Sequence, residues 1–501
     1  MRRILVVLCV MLLITLVSCD GRREEHIMEK ANLLPVPREF KYNNKDRTGY
    51  SYEAEISCNV EEWESSINAF YQYVERSCGL KLKNGNKGIR ILREKELDED
   101  AYRIECNNTV NIYASSKEGL NYALSTVLQL IQTKDDKILF PDITVYDKPD
   151  SSYRALLVDL ARQWHPYEYL YKYVDLCYLY KINRLQFHFT DDQSYTLPSD
   201  TYPFLPTENR HYTKEQIRDL VEYANDRGVV LVPEVEVPGH CAQFNMKYPE
   251  IFGNNGIICA EEKTFQALEK LFGEVCEMFP YSPYIHMGGD EAAITNWRNC
   301  PGCRQYMNDR GLKFIDDLYT DFVARVTDII FKHGRTPVVW EGFSKKGNDK
   351  ISKDVIVIAW ESYYQNPKDL VEAGFTVVNA SWKPLYIVAP STSWLPEEIL
   401  AWSKYKWQHW WEKSMAYPDG IDVGKVDNVI GGMVCAWGDV LAGYDSGDKA
   451  AKEEFEFIRA RIPALAVKTW DEDSDMDSKD FYESYEKLDA LLERILVNAN
   501  N

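Results

Sequence analysis

Residues 213–237, with the sequence TKEQIRDLVEYANDRGVVLVPEVEV, decide the fold of this chain. Thr213 to Arg227 places its apolar residues at helical spacing, and Val229 to Val237 is a β-branched run typical of a buried strand. Other amphipathic stretches, such as Phe314 to His333, separate further β-branched or apolar runs that are typical of strands. Those seven runs are Ala155 to Leu160, Arg184 to Phe189, Tyr284 to Met287, Thr336 to Trp340, Val355 to Trp360, Thr376 to Ala380 and Ile430 to Trp437.

This order of elements predicts an α/β protein. Eight strands with intervening helices over roughly 320 residues are typical of a (β/α)₈ TIM barrel, in which functional side chains lie at the C-terminal ends of the strands. A doubly wound open sheet is the alternative. It is less favoured because no Gly-rich phosphate-binding turn follows the first strand.

The chain before the barrel has a different pattern. Residues 101–106 and 109–114 alternate apolar and polar residues on either side of Asn107-Asn108, which indicates a β-hairpin. Lys117 to Gln132 then places its apolar side chains on one face of a helix. We therefore predict a small α+β accessory domain over residues 33–150, the barrel over residues 151–475 and a C-terminal helix over residues 476–501.

The first residues are typical of an export signal. Met1-Arg2-Arg3 is basic, and residues 4–17 are almost wholly apolar but shorter than the about 20 residues that a membrane span needs. Leu16-Val17-Ser18-Cys19 resembles the lipobox of bacterial lipoproteins. We expect a signal peptide over residues 1–18, a lipid on Cys19 and a tether over residues 19–32. The lipid would anchor the protein in the bacterial cell envelope, facing the periplasm or the cell exterior; an ordinary secretory signal with an incidental Cys19 is the alternative.

Composition limits the class of partner. The formal net charge is −20 at pH 7, so the long-range field disfavours nucleic acid and anionic membrane surfaces. A hydrophobic content of 45% and a charged content of 27% exclude a disordered chain. The 33 Tyr, 19 Phe and 13 Trp favour a neutral, ring-shaped ligand, because aromatic faces bind apolar faces without charge.

The 12 cysteines are scattered, apart from Cys300-Pro-Gly-Cys303. This pair is consistent with a disulfide, a redox motif or half of a metal site. No second Cys pair or His pair follows at ligand spacing, so no metal is predicted. In an exported protein the disulfide is the favoured interpretation.

Polar and aromatic side chains follow nearly every predicted strand. They are Arg162, His188 with Asp191, His240, Asp290 with Glu291, Trp340, Trp360, and Trp437 with Asp439. Asp290 and Glu291 are neighbours in sequence, so both reach one pocket only if the chain turns after the strand, and Gly288-Gly289 permits such a turn. In one pocket, mutual repulsion and an apolar wall leave a protonated acid beside an ionised base. The alternative is a solvated pair at a helix N-terminus.

An acid pair with Trp walls favours cleavage of glycosidic bonds. A general acid protonates the leaving oxygen while indoles hold the apolar face of a sugar. Trp402, Trp407, Trp410 and Trp411 are instead assigned to core packing in a helical stretch. The chain lacks a Gly-x-Ser-x-Gly elbow, a His-Glu-x-x-His motif and a P-loop, so no cofactor is predicted.

These residues resemble a known family. His286-Met-Gly-Gly-Asp-Glu291 is similar to the His-x-Gly-Gly-Asp-Glu signature of family 20 glycoside hydrolases, the β-N-acetylhexosaminidases. Further motifs follow in the family's order: Val158-Asp-Leu-Ala-Arg162, His188-Phe-Thr-Asp-Asp-Gln193, Pro233-Glu-Val-Glu-Val-Pro-Gly-His240, Trp340-Glu341 and Trp437. Residues 33–150 resemble the family's accessory domain through Ile112-Tyr-Ala-Ser and Gly119-Leu-Asn-Tyr-Ala.

The resemblance implies a role for each matching residue. Glu291 would be the general acid/base, Asp290 would orient and stabilise the substrate's acetamido group, and Tyr386 would donate a hydrogen bond to that group. The acetamido oxygen would then be the nucleophile and give an oxazolinium intermediate, an exception to the two-carboxylate scheme. The implied substrate-binding residues are Arg162, Asp191, His240, Trp340, Trp360, Trp437 and Asp439. The implied partner is a glycan with a terminal N-acetylhexosamine.

Two positions depart from the family pattern. Val388 stands where an Asp commonly follows the Tyr386 motif, and Asp439 is shorter than the common Glu. Both positions face the O4/O6 side of the sugar in the family, so an O6-sulfated sugar is one expectation, and a shift of the alignment at Val388 is the alternative. Two further alternatives are a disaccharide-releasing enzyme of the lacto-N-biosidase type and a non-catalytic glycan-binding lipoprotein. Glu291→Gln separates the last of these from an enzyme.

Overall fold

The computed structural model describes residues 25–388, 394–441 and 447–496. The predicted signal peptide, Cys19 and residues 20–24 of the predicted tether lie outside the described residues. Among the described helices, none is both long and apolar enough to cross a membrane.

The N-terminal part forms two sheets with two helices. Its larger sheet has the strand order Glu39–Tyr42, Ile143–Asp147, Tyr102–Cys106, Val110–Ala114, Ile89–Arg93, Glu55–Cys58 and Lys83–Asn84. The smaller sheet has the order Glu25–Ile27, Thr48–Tyr52, Lys137–Pro141 and Gln132–Lys134. The predicted hairpin is confirmed, because Tyr102–Cys106 and Val110–Ala114 pair antiparallel. The predicted helix spans Lys117–Leu130, and a second helix spans Glu64–Cys78.

A closed barrel of eight parallel strands follows, as predicted. The strands are β1 (Tyr153–Asp159), β2 (Arg184–His188), β3 (Val230–Glu234), β4 (Tyr284–His286), β5 (Thr336–Trp340), β6 (Ile356–Ala359), β7 (Thr376–Asn379) and β8 (Val429–Ala436). Neighbours pair in this order, and β1 pairs with β8, so the ring closes without a free edge. Alternate residues of β1 divide between two cores: Ala155 and Leu157 pack inside the barrel, whereas Leu156 and Val158 pack against the outer helices.

Helices of unequal length cover the barrel. The long ones are Tyr167–Leu179, Lys214–Asp226, Glu262–Met278, Ile315–Lys332 and Asp448–Trp470. The short ones are Ala242–Lys247, Pro249–Phe252, Pro301–Asp309, Pro367–Glu372, Trp382–Leu385 and Pro396–Leu400, and Ser478–Ile495 ends the fold. Thr213 is the N-cap residue of the helix Lys214–Asp226. Its hydroxyl accepts a hydrogen bond from the Gln216 backbone amide (3.1 Å), and the Gln216 side chain accepts one from the Thr213 backbone amide (2.8 Å). This capping box explains why the helix begins where the sequence predicts.

A buried polar cluster joins the accessory domain to the barrel. Asp147 of the accessory sheet accepts hydrogen bonds from Tyr102 (2.6 Å) and from the indole of Trp470 (2.8 Å), and Lys181 lies 3.3 Å from the same carboxylate. Burial lowers the pKa of Lys181 to about 8, although the charge of Asp147 opposes the shift. The carboxylate is therefore well partnered, as a buried charge requires.

The predicted helical stretch around Trp402 to Trp411 is wrong. The helix ends at Leu400, and Lys406–Trp407 forms a short strand with Ile421–Asp422. Trp402 and Trp407 are buried, as expected for core residues, but Trp410 is 51% exposed and contacts the ring of Trp382. A spacing of three to five residues between indoles is typical of a helix, but here a turn and a strand produce it.

Candidate active site

The acid pair lies directly beyond β4, where the chain leaves the barrel in a sharp turn. Gly288, Gly289 and Glu291 have positive φ angles of 72°, 105° and 44°. This turn brings both carboxylates to one imidazole: His240 Nε2 lies 3.6 Å from Asp290 Oδ2 and 3.5 Å from Glu291 Oε2. Asp290 is buried, whereas the Glu291 side chain is 51% exposed. The two neighbouring acids therefore face one site from different depths.

Gly288 is the position at which this turn tolerates no side chain. A Cβ there would lie 1.7 Å from Glu236 Oε2, in addition to the left-handed backbone. We expect Gly288→Ala to lower the free energy of unfolding by the left-handed term of about 1–2 kcal/mol plus an overpacking term of about 1–3 kcal/mol. Gly311→Ala is the matched control, because Gly311 has φ 66° and nothing within 4 Å of its Cβ position. Urea denaturation checks this prediction, and equal losses in the two variants would contradict it.

His240, at the end of β3, is held between acidic side chains. Its Nδ1 lies 3.3 Å from Asp191 Oδ1, opposite the contacts of Nε2 with the acid pair. Burial opposes a charge on His240, but the carboxylates of Asp191, Asp290 and Glu291 hold its pKa well above the ordinary value. His240 is therefore an imidazolium that partly neutralises the acid pair.

Arg162, after β1, presents a guanidinium to the same region. It pairs with Asp159 Oδ2 (2.9 Å), Asp191 Oδ2 (2.7 Å) and Asp439 Oδ1 (3.3 Å), and it lies 5.1 Å from the centre of the Trp437 ring. Each guanidinium nitrogen contacts one of these carboxylates, so the three acids together fix the plane of the group. Asp439 is the most exposed of the three acids, with 55% of its side chain accessible.

The aromatic side chains form one continuous wall. Trp340 lies 5.8 Å from Trp437 and 6.5 Å from Trp360, and Tyr386 stacks on Trp360 at 5.9 Å. Sequence reasoning missed Trp382, whose ring stacks on Tyr386 at 4.6 Å. Its only signal in the sequence was its position four residues before Tyr386. Burial raises the pKa of Tyr386 well above its ordinary value, so the phenol is a hydrogen-bond donor at every working pH.

A buried layer of acids and imidazoles supports the site from within the barrel. His188 Nδ1 lies 3.2 Å from Glu234 Oε2, His286 Nδ1 lies 3.3 Å from Glu234 Oε1, and the Trp340 indole donates to Glu234 (2.5 Å). Burial opposes ionisation of Glu234, but the two imidazoles hold its pKa well below the usual range. Glu236 behaves in the opposite way, because burial and the nearby charges of Asp290 and Glu234 raise its pKa well above the usual range. The acids and imidazoles of this layer were not predicted as site residues, although the family motifs found in the sequence contain all of them.

Glu341 and Glu361 line the site after β5 and β6. The Glu341 carboxylate accepts hydrogen bonds from the backbone amides of four consecutive residues, 362–365, at 2.8–3.1 Å. Burial nonetheless raises its pKa to about 7. Burial, together with the charges of Glu291, Glu341 and Asp290, raises the pKa of Glu361 to about 8. The site therefore holds more carboxyl groups than it can ionise together at neutral pH.

This shift predicts a pH dependence of stability. Glu361 stays protonated in the folded chain up to about pH 8, whereas a glutamate in the unfolded chain ionises near its model value of 4.5. Between these values the folded state binds more protons, so its stability falls as the pH rises. We expect Glu361→Gln to remove this contribution, so that its unfolding free energy relative to the wild type increases from pH 5 to pH 8. Denaturation curves at several pH values test it, and parallel curves for both proteins would contradict it.

Several of these groups also have the arrangement of metal ligands. The sets are His188 with Glu234 and Glu236, Asp191 with Asp192 and His240, and His240 with Asp290 and Glu291. Each of these three sets already contains an imidazole paired with a carboxylate, so ion pairing accounts for the closeness of their side chains. A fourth set, of cysteines, lies outside this site.

The structure joins the predicted catalytic and substrate-binding residues through one continuous series of contacts. Val388 packs partly buried beside Tyr386 and the aromatic wall, and Asp439 keeps its contact with Arg162. Asp290 Oδ1 and the indole nitrogen of Trp382 are buried, and no described residue forms a hydrogen bond with either atom. Unpartnered polar atoms beside an aromatic wall are typical of a site that hydrogen-bonds a ligand.

Comparison with known proteins agrees with this geometry. Residues 152–473 match the model of "Glycosyl hydrolase family 20, catalytic domain", and residues 30–148 match "Glycosyl hydrolase family 20, domain 2". The chain is 30% identical to a β-hexosaminidase of Akkermansia muciniphila over 61% of this chain and 68% of that protein. It is 26% identical to a β-hexosaminidase of Porphyromonas gingivalis over 72% of this chain, but it spans only 52% of that protein's length.

The fold of this chain is also similar to the folds of solved structures. An exo-β-N-acetylglucosaminidase from Vibrio harveyi has a TM-score of 0.78 at 22% identity, with 94% of this chain and 79% of that chain covered. A β-N-acetylhexosaminidase from Bacteroides fragilis has a TM-score of 0.75 at 22% identity, with 93% and 96% covered. Together with the family models, which match most of the sequence, these findings assign the protein: the chain belongs to glycosyl hydrolase family 20.

Proposed function

We propose that the protein is an exo-acting β-N-acetylhexosaminidase that removes terminal β-linked GlcNAc or GalNAc from glycans with retention of configuration. The observation that carries this proposal is the pair Asp290 and Glu291 beside one aromatic wall, with Asp290 Oδ1 buried and free to accept a hydrogen bond. The names of the relatives support the same activity.

Binding begins with the sugar ring. The faces of Trp340, Trp360 and Trp437 offer apolar surface to one side of a pyranose, and the Arg162 guanidinium binds its hydroxyl groups.

The acetamido group of the substrate then acts as the nucleophile. Asp290 accepts a hydrogen bond from the acetamido N–H through Oδ1, and the protonated Tyr386 donates one to the acetamido oxygen. The acetamido oxygen forms a bond to the anomeric carbon while the glycosidic C–O bond breaks, which gives an oxazolinium ion. The negative charge of Asp290 stabilises the positive charge that develops on the acetamido nitrogen.

Glu291 moves the proton in both halves of the reaction. It gives its proton to the departing glycosidic oxygen, and its exposed side chain is accessible to the leaving group. As a carboxylate it then removes a proton from the water that opens the oxazolinium ring. Two inversions at the anomeric carbon give net retention.

The departures at Val388 and Asp439 do not favour a sulfated sugar. Asp439 keeps a carboxylate 3.3 Å from Arg162, on the side that the family resemblance assigns to O4 and O6. A carboxylate there would repel a sulfate, so the unsulfated sugar is the favoured substrate.

A panel of aryl glycosides tests the proposal. The panel contains β-linked GlcNAc, GalNAc, O6-sulfated GlcNAc and the disaccharide lacto-N-biose. We expect cleavage of the two unsulfated monosaccharides and the β-anomer as the first product in proton NMR. A preference for the disaccharide, a preference for the sulfated sugar or a first product of α configuration would each contradict the proposal.

We also propose that Cys19 carries a lipid that anchors the protein in the cell envelope. The basic start, the apolar run and the lipobox-like Leu16-Val17-Ser18-Cys19 support this proposal. Metabolic labelling with an alkyne fatty acid should mark the wild type and the control Cys9→Ala, but not Cys19→Ala. Labelling of Cys19→Ala would contradict the proposal.

A further inference from the structure

Three buried cysteines meet on the outside of the barrel, away from the acid pair. Cys259 precedes the helix Glu262–Met278, and Cys300 and Cys303 lie at the start of the helix Pro301–Asp309. The Sγ atoms of Cys259 and Cys300 are 3.3 Å apart, and the three sulfur atoms all lie within 4.8 Å of one another. The expected disulfide between Cys300 and Cys303 is not formed, and Cys259, Cys300 and Cys303 are all free thiols.

The surroundings of the three sulfur atoms suit thiolates. The backbone amide of Ala260 donates to Cys303 Sγ (3.3 Å), and that of Cys303 donates to Cys300 Sγ (3.5 Å). The positive end of the helix dipole also lies here. Three thiols this close cannot ionise together unless a cation neutralises them.

An oxygen ligand lies beside the sulfur atoms. Glu261 Oε1 is 3.8 Å from Cys300 Sγ. A Cβ at Gly302 would lie 1.9 Å from the same oxygen, so the glycine of the Cys300-Pro-Gly-Cys303 turn makes room for this carboxylate. Two cysteines from one turn and a third from a distant loop form a set of three sulfur ligands, and the Glu261 carboxylate lies beside one of them, Cys300.

We propose that Cys259, Cys300, Cys303 and Glu261 bind a structural zinc ion. Zn–S bonds of about 2.3 Å in a tetrahedron place sulfur atoms about 3.8 Å apart. The Sγ atoms of Cys259 and Cys300 are 3.3 Å apart, and all three sulfur atoms lie within 4.8 Å of one another, so small shifts would give this geometry. Zinc uses all three sulfur atoms, whereas a disulfide would leave one buried thiol unused.

The site would link two loops that carry active-site residues. Cys259 belongs to the loop that follows His240, and Cys300 belongs to the segment that follows Glu291. Ile258 already accepts a hydrogen bond from the Trp297 indole (2.8 Å) and donates one to the Pro238 carbonyl (3.0 Å). A zinc ion at this point would hold both loops in register and stabilise the fold without contacting substrate.

The test is the zinc content of the full chain, purified without chelators and measured by plasma mass spectrometry. We expect about one zinc per chain in the wild type and less than a tenth of that in Cys259→Ser, Cys300→Ser and Cys303→Ser. Cys276→Ser is the matched control for a buried cysteine elsewhere, and His240→Ala is the control for metal in the active site. Both controls should keep the zinc.

Two measurements on the wild type do not depend on how well the variants fold. A mercurial reagent should release the zinc to a chelating dye, and cobalt in its place should give a sulfur-to-metal charge-transfer band. Peptide mapping without reductant shows whether any of the three cysteines forms a disulfide instead of binding zinc. A disulfide among Cys259, Cys300 and Cys303, three free thiols without zinc, or loss of zinc only in His240→Ala would overturn the proposal.

Discussion

Glu291→Gln is expected to lower kcat on an unactivated GlcNAc disaccharide by a factor on the order of 10²–10⁴. Gln has nearly the same shape but has no proton to give to the departing oxygen. A para-nitrophenyl glycoside should be affected less, because nitrophenolate leaves without protonation. Because the side chain is 51% exposed and its ion-pair partner among the described residues is His240 at 3.5 Å, its replacement should leave the fold intact.

The contrast between the two substrates separates a catalytic role from a structural one. Steady-state kinetics on both substrates measure it, and calorimetric titration with GlcNAc should show a Kd within a few-fold of the wild-type value. Glu277→Gln, on an exposed position of the helix Glu262–Met278, is the control and should leave both rates unchanged. Unchanged hydrolysis by Glu291→Gln, or an equal loss on both substrates, would refute the assignment.

Asp290→Asn is expected to lower kcat by a factor on the order of 10²–10³, because the variant lacks the charge that stabilises the oxazolinium ion. A thiazoline analogue of that intermediate should lose affinity by a similar factor, while the affinity for GlcNAc changes little. Asn fits the same buried position, and among the described residues the ion pair that it removes is the Oδ2 contact with His240 at 3.6 Å.

Substrates with a fluorinated acetamido group test the same step in the wild type. Each fluorine makes the acetamido oxygen a weaker nucleophile, so kcat should fall steadily along the series. The fall should be less steep in Asp290→Asn, where the charge development that Asp290 stabilises is already impaired. A wild-type rate that does not respond to fluorine would indicate a nucleophile supplied by the protein and would contradict substrate assistance.

Much of the fold followed from local patterns. All eight barrel strands occur within a few residues of their predicted ends, because a strand buried on both faces is a short, continuous run of β-branched and apolar residues that the sequence itself displays. The helix after Thr213 begins where its apolar spacing predicts, and the capping box of Thr213 and Gln216 stabilises that start. The assignment of Trp410 to a helical core failed because indole spacing does not distinguish a helix from a turn followed by a strand.

Groups that meet across the fold had no such signal. Cys259 lies 41 residues before Cys300, so no spacing rule joined it to the Cys300-Pro-Gly-Cys303 turn. Glu361 follows a strand like the other acids, but its raised pKa results from burial and from Glu291 on another strand end. Trp382 reached the aromatic wall only through the turn that stacks it on Tyr386.

By itself, the sequence determined the barrel, the family resemblance and the identity of the acid pair, because these depend on residue types at short spacing. Only the tertiary structure decided which carboxylates are charged and which atoms remain free for a ligand. The physical reason is that the pKa of Glu236 or Glu361 and the unpartnered Oδ1 of Asp290 depend on burial and on charges from other strands. The distances between these charged groups are set only after the barrel has closed.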